Sequence, residues 1–183
     1  MKIPNILTIG RILIAPILVI IFYFPGEWSD WLSCLIFVIA AFTDYLDGFF
    51  ARLYKQQSKF GELLDPIADK VLVATALALL IMNQTIKHYS VIAAIIITTR
   101  EILISGLREF LAKAQIYIPV TSLSKGKTVI QMIAISILLA GESGNKFLFG
   151  YGIQLGIYLL WMSALLTLYT GYAYLRKGID FID

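Results

Sequence analysis

The chain has 183 residues, 59% of them hydrophobic and 15% charged, with a formal net charge of +3. That balance is too apolar for a soluble domain, which must cover its surface with polar groups, so lipid has to be part of its solvent. A single cysteine, Cys34, excludes both an intramolecular disulfide and a cysteine-rich zinc site.

Apolar runs broken by polar or Gly/Pro clusters predict six membrane-spanning helices, at 5–24, 31–54, 62–82, 89–111, 124–140 and 151–175. The first run follows Lys2 and contains Arg11, but no small-residue cleavage site lies near Pro25-Gly26-Glu27, so it reads as a retained span. The breaks at Pro25 to Glu27, Asn83 to His88 and Gly141 to Lys146 read as loops on one face, where Lys87 and Lys146 are the basic residues. Lys2, Arg11, Arg52, Lys55, Lys59, Lys70, Arg108, Lys113, Lys125, Lys127, Arg176 and Lys177 collect on the other face, which the positive-inside rule makes cytoplasmic. The expected fold is therefore all-α: a polytopic membrane protein of six transmembrane helices around a cytoplasm-facing polar cavity. The protein is expected in the cell membrane with both termini and the active site cytoplasmic, and residues 1–183 are expected to form a single domain with no polar linker to divide it. Gly152 and Gly156 form a small-xxx-small pair suited to close helix packing, within the chain or between copies. Trp28, Trp31, Tyr151 and Tyr172 fall near predicted interfaces, where amphipathic rings collect, and His88 reads as a solvated loop residue.

The chemistry lies in four aspartates. A charge at membrane depth costs about 2.5 to 3.5 kcal/mol on insertion scales unless it is paired or hydrated. One aspartate near a helix end ordinarily caps or snorkels, but Asp44 and Asp47 are three apart near the end of the second span, and Asp65 and Asp69 four apart near the start of the third. Each pair shares a helical face, and a short connection makes the two helices antiparallel neighbours, so the pairs can converge. Clustered carboxylates without His or Cys suit a hard, oxygen-seeking cation such as Mg²⁺, Mn²⁺ or Ca²⁺. Gly48, Ala51 and Gly61 leave room for a bulky ligand, and Arg52 offers a fork for phosphate.

The run Asp44-x2-Asp47-Gly48-x2-Ala51-Arg52-x8-Gly61-x3-Asp65-x3-Asp69 resembles the signature of the CDP-alcohol phosphatidyltransferase family. The likeness extends from Asn5-x2-Thr8-x2-Arg11 to the fifth span. It implies two divalent ions, Mg²⁺ or Mn²⁺, held by Asp44, Asp47, Asp65 and Asp69, and transfer of a phosphatidyl group from CDP-diacylglycerol to an alcohol with release of CMP. It also implies that Asp69 is the catalytic residue, accepting the proton of the acceptor hydroxyl. Thr8, Arg11, Gly48, Arg52, Ser58 and Gly61 are the expected CDP-diacylglycerol contacts. A homodimer is a further implication.

The acceptor follows from the cations of the fourth and fifth spans. Arg100 and Arg108, with Lys125 and Lys127, are expected to face the same cavity and to hold an acceptor that carries its own phosphate. The segments Thr99 to Glu101, Gly106 to Phe110 and Lys125-x-Lys127-Thr128-x2-Gln131-Met132 resemble the branch of the family whose acceptor is glycerol 3-phosphate, although Ser124 stands where that branch has glycine. Arg100, about two turns deeper than Arg108, is harder than the others to explain as an interfacial anchor. Membrane lipid and anionic small molecules, not nucleic acid, are the expected partners. The competing readings are a branch using a different alcohol, as in cardiolipin, phosphatidylserine or phosphatidylinositol phosphate synthesis, and a cation or proton transporter. A transporter would need polar groups along a path, and the outer halves of the second and third spans carry no acidic residue.

Overall fold

The computed structural model describes residues 3–54, 59–113, 115 and 122–179. These residues form seven helices: α1 (Ile3–Phe22), α2 (Glu27–Tyr54), α3 (Lys59–Met82), α4 (Ser90–Lys113), α5 (Ser122–Leu139), α6 (Gly141–Phe147) and α7 (Gly152–Ile179). Three stretches are long and apolar enough to cross a membrane, Ser90–Ala112, Ser122–Leu139 and Gly152–Arg176, with Ile12–Phe22 a shorter apolar run.

The six long helices match the six predicted runs to within four residues at each end. The segment from Gly141 to Lys146 does not: it was expected as a loop and is helical. The reason is a distant partner. Asp30, in the first turn of α2, accepts hydrogen bonds from the Ser143 amide at 3.2 Å and the Ser143 hydroxyl at 2.8 Å. Gly141 makes the turn into α6 with φ +54, and its own Cα edge faces the Asp30 carboxyl so closely that a Cβ would sit 2.9 Å from Cγ. At the same end, Trp31 meets Phe147 edge-on with centroids 6.0 Å apart. Glu27 and Lys146 pair at 2.8 Å, which holds the Glu27 carboxyl below its usual range; being exposed, this pair adds little stability.

Helix α7 packs against α5 and α4, and α1 lies against α3 and α2. In hydrocarbon, lipid tails are as apolar as leucine, so the fit of small and large side chains holds helices together more than transfer from water does. The core accordingly alternates Ala40, Ala76, Ala93, Ala134 and Ala164 with Phe37, Leu72, Leu80, Ile135 and Leu138, all buried. The half-buried Cys34 packs against this core as a free thiol. The face of α7 bearing Tyr158, Leu165, Tyr169 and Tyr172 is exposed, as are Trp28 and Tyr151, which is where lipid and its headgroups would meet the protein.

Gly152 and Gly156 both serve contacts within the chain. Gly152 backs onto α6, 3.0 Å from Asn145 Cα at its Cβ position, and Gly156 onto α5, 2.7 Å from Leu138 Cγ and Cδ2. Leu138 is itself wholly buried and has no room to yield. Gly156→Ala is therefore expected to destabilise the detergent-solubilised protein by about 1 to 3 kcal/mol, seen as a lowered Tm. Gly106→Ala, at a helical glycine with open space around it, should leave the Tm unchanged or slightly raised.

Candidate active site

Asp69 lies half-buried on α3, on the wall of a cavity of about 40 Å³ between α3, α4 and α5. The other polar lining residues are Lys70, Thr98, Glu101, Thr128 and Gln131, with Val73, Ala74, Ile102 and Met132 completing the wall. Thr98 and Thr128 turn their hydroxyls back on their own helices, donating to the Ala94 carbonyl at 2.9 Å and the Ser124 carbonyl at 3.1 Å.

Behind the cavity, Glu101 is the point where α4 and α5 meet electrostatically. Lys127, on α5 and 3% exposed, donates to Glu101 Oε1, and Arg100 Nη1 lies 3.6 Å from the same oxygen. The guanidinium of Arg100 reaches across to α7. Its Nη2 donates to Thr170 Oγ1 at 2.9 Å, and Thr170 in turn donates to the Leu166 carbonyl at 2.9 Å. Gly171 makes this possible, since a Cβ there would meet Arg100 Nε at 3.0 Å and Cγ at 3.1 Å. One carboxylate thus ties two cations into the junction of three helices. The arrangement is costly to disturb, because removing one partner leaves charge buried without compensation.

The structure gathers several of the sequence-predicted residues in one place. Lys70 is within electrostatic range of Asp69, Glu101, Arg108 and Glu109, and Lys127 within range of Glu101, Arg100 and Asp69. The four predicted cations differ in surroundings. Arg100 and Lys127 are engaged by protein groups, whereas Arg108, toward the end of α4, and Lys125, near the start of α5, are exposed. Asp44 and Asp47 stand three apart on α2, and Asp65 on α3 one turn before Asp69, with α2 and α3 in contact. The side chains of Thr8, Arg11, Asp44, Asp47, Arg52 and Asp65, and the surroundings of Gly48 and Gly61, lie outside the described residues, as does Ser58 altogether. Among the described residues no three His, Cys, Asp or Glu side chains converge. The donor chemistry nevertheless suits a hard cation: four carboxylates on two touching helices, with His88 and Cys34 elsewhere in the chain.

Residues 1–169 match the family described as CDP-alcohol phosphatidyltransferase. The chain belongs to that family. It is 41% identical to a CDP-diacylglycerol–glycerol-3-phosphate 3-phosphatidyltransferase of Rickettsia bellii over 175 residues, which cover 96% of this chain and 94% of the relative. Proteins of the same name from Haemophilus influenzae and Cereibacter sphaeroides are 42% identical over 177 residues and 38% over 215 residues. These alignments cover 96% and 99% of this chain, and 92% and 97% of the respective relatives.

Two features of this phosphatidyltransferase escape a reading of its sequence. The contact of Arg100 with Thr170 and Gly171 joins residues 70 positions apart and leaves as its only trace a hydroxyl beside a glycine in an apolar span. The role of Glu101 is hidden because its neighbour Arg100 looks like its natural partner, while the hydrogen-bonded cation is Lys127. Glu101→Ala should lower stability by about 2 to 4 kcal/mol, since it strands Lys127 and Arg100. Glu101→Leu combined with Lys127→Met should recover much of the Tm in detergent, because apolar side chains can replace a buried pair at little cost. A double variant no more stable than Glu101→Ala would mean that the carboxylate acts through Arg100 alone.

Proposed function

We propose that this enzyme transfers the phosphatidyl group of CDP-diacylglycerol to glycerol 3-phosphate, giving phosphatidylglycerophosphate and CMP. The observation that carries the reading is the placement of Asp69 on a small polar cavity in electrostatic range of Lys70, with Arg108 in range of the same lysine. A proton acceptor thus lines the space where an alcohol could sit, and Lys70 and Arg108 bring positive charge near it for that alcohol's phosphate. Relatives alike over nearly their whole length carry the name of this reaction.

In this mechanism Thr8 and Arg11 of α1, with Gly48, Arg52, Ser58 and Gly61, bind CDP-diacylglycerol, the glycines letting the nucleotide approach the helix backbones. Asp44, Asp47, Asp65 and Asp69 would hold two Mg²⁺ or Mn²⁺ ions, which when bound supply charge neutralisation of the diphosphate and of the leaving phosphate oxygen. Arg108 and Lys125 grip the acceptor phosphate, while Arg100 and Lys127 hold the back wall of its pocket and add positive potential. Asp69 takes the proton from the acceptor hydroxyl. That oxygen forms its bond to the phosphorus bearing the diacylglycerol as the bond to CMP breaks, and the electron pair leaves with CMP.

All six long helices cross the membrane in this reading, with both termini and the active site cytoplasmic. Lys59→Cys in a Cys34→Ser background should then resist an impermeant thiol reagent added outside intact cells. Labelling under those conditions would reverse the orientation.

The reaction itself is tested with purified protein, CDP-diacylglycerol and Mg²⁺, offered in turn glycerol 3-phosphate, serine, inositol phosphate and phosphatidylglycerol. CMP release is expected with glycerol 3-phosphate and should stop on chelation. Asp69→Asn should fold but lose at least about 10⁴-fold in kcat, the upper end for a general base, because the same carboxylate also serves the metal site. Near wild-type release by that variant would remove Asp69 from the proton transfer, and turnover with serine instead would reject the phosphate-bearing acceptor.

A further inference from the structure

The cavity beside Asp69 has six polar side chains in its wall, and five of them already have partners. Lys127 engages Glu101, the hydroxyls of Thr98 and Thr128 are bonded to their own helices, and Asp69 and Lys70 make interactions of their own. The sixth is Gln131. It is 2% exposed, and its Oε1 is buried without a hydrogen-bond donor. A buried amide oxygen left unpaired costs free energy, so such a group in a binding cavity is most simply explained by a donor that arrives with the ligand.

Gln131 stands one helical turn beyond Lys127 on the buried face of α5, on the side away from the exposed Lys125. From Lys125 to Gln131 the rise along α5 is about 9 Å, comparable with the length of a three-carbon phosphate ester. The cavity of about 40 Å³ has room for roughly three water molecules, or for the hydroxyl groups of a polyol in their place.

We infer that Gln131 is a specificity residue that accepts a hydrogen bond from the secondary hydroxyl of the three-carbon acceptor. This rests on the function proposed above and deepens it. The acceptor has three polar groups: its phosphate goes to the exposed cations at the helix ends, and its reacting hydroxyl to Asp69. The middle hydroxyl then needs an acceptor in the wall, and Gln131 Oε1 is the lining atom that needs a donor. Thr128, one turn before it and on the same wall, already has a partner in the Ser124 carbonyl, whereas Gln131 Oε1 is buried with none.

The test compares glycerol 3-phosphate with 3-hydroxypropyl phosphate, which has the same phosphate and primary hydroxyl but lacks the middle one. Each is assayed by CMP release in the same preparation of full-length protein, so the fraction folded cancels from the ratio of the two kcat/KM values. Wild-type protein should prefer glycerol 3-phosphate by about ten- to a hundredfold, the size of one hydrogen bond into a buried site. Gln131→Leu and Gln131→Met should both bring that ratio close to one. Gln131→Glu, which keeps an acceptor oxygen, should retain more of the preference than either apolar variant. A ratio unchanged in both apolar variants overturns the assignment and leaves Gln131 a packing residue, even if total activity falls. Absence of any turnover of glycerol 3-phosphate by the wild type is a separate result, and it removes the proposed function together with this residue's role.

Discussion

Hydrocarbon offers no partner to a charge, so a buried ion in this chain must find its counter-ion in another helix, and the Glu101 carboxylate is where that requirement is met. Lys127 reaches it from α5, and Arg100, beside it on α4, donates through Nη2 to Thr170 of α7. Each of the three helices is apolar along most of its length and could slide or rotate against its neighbours at small cost. The polar junction removes that freedom. It fixes the register of α4, α5 and α7 at the depth where the cavity opens, and so sets the wall that faces Asp69.

This junction also sorts the cations. Arg100 and Lys127 are committed to protein groups, and Glu101 offsets one of their two charges locally. Arg108 and Lys125 are exposed near the ends of the same helices and keep their hydration until an anion displaces it. In the proposed function the phosphate of the acceptor would meet the exposed cations first and the engaged ones behind them. Arg suits the outer position, since its planar fork can bind two phosphate oxygens together.

Much of this architecture is legible in the sequence because lipid is an unforgiving solvent. The apolar runs gave the long helices to within four residues, since each run must satisfy its own backbone hydrogen bonds. The spacing of Asp44, Asp47, Asp65 and Asp69 is what points to a site in the sequence, and the two pairs lie on helices that touch. What the sequence concealed depends on contacts between distant segments. Helix α6 reads as a loop until Asp30 is seen to satisfy Ser143, 113 residues away. Gly156 reads equally as a dimer contact or as ordinary packing until Leu138 is found against it. Arg100 and Lys127 look alike with Arg108 and Lys125 in the sequence, which shows that a residue is positive but not that the first two already engage Glu101.

The bond from Arg100 to Thr170 has a bearing on how the protein comes into being. Synthesis makes α4 well before α7, and the two partners are 70 residues apart, so a nascent α4 must enter the membrane while its guanidinium lacks the hydroxyl it will later hold. An unsatisfied arginine near the middle of a span opposes insertion by about 2.5 to 3.5 kcal/mol, which an otherwise apolar helix can outweigh but not ignore. Until the last helix arrives, Glu101 on the same helix is the group that can offset the charge of Arg100. Docking of α7 then supplies the hydroxyl, and the missing side chain at Gly171 leaves the room the guanidinium needs to reach it.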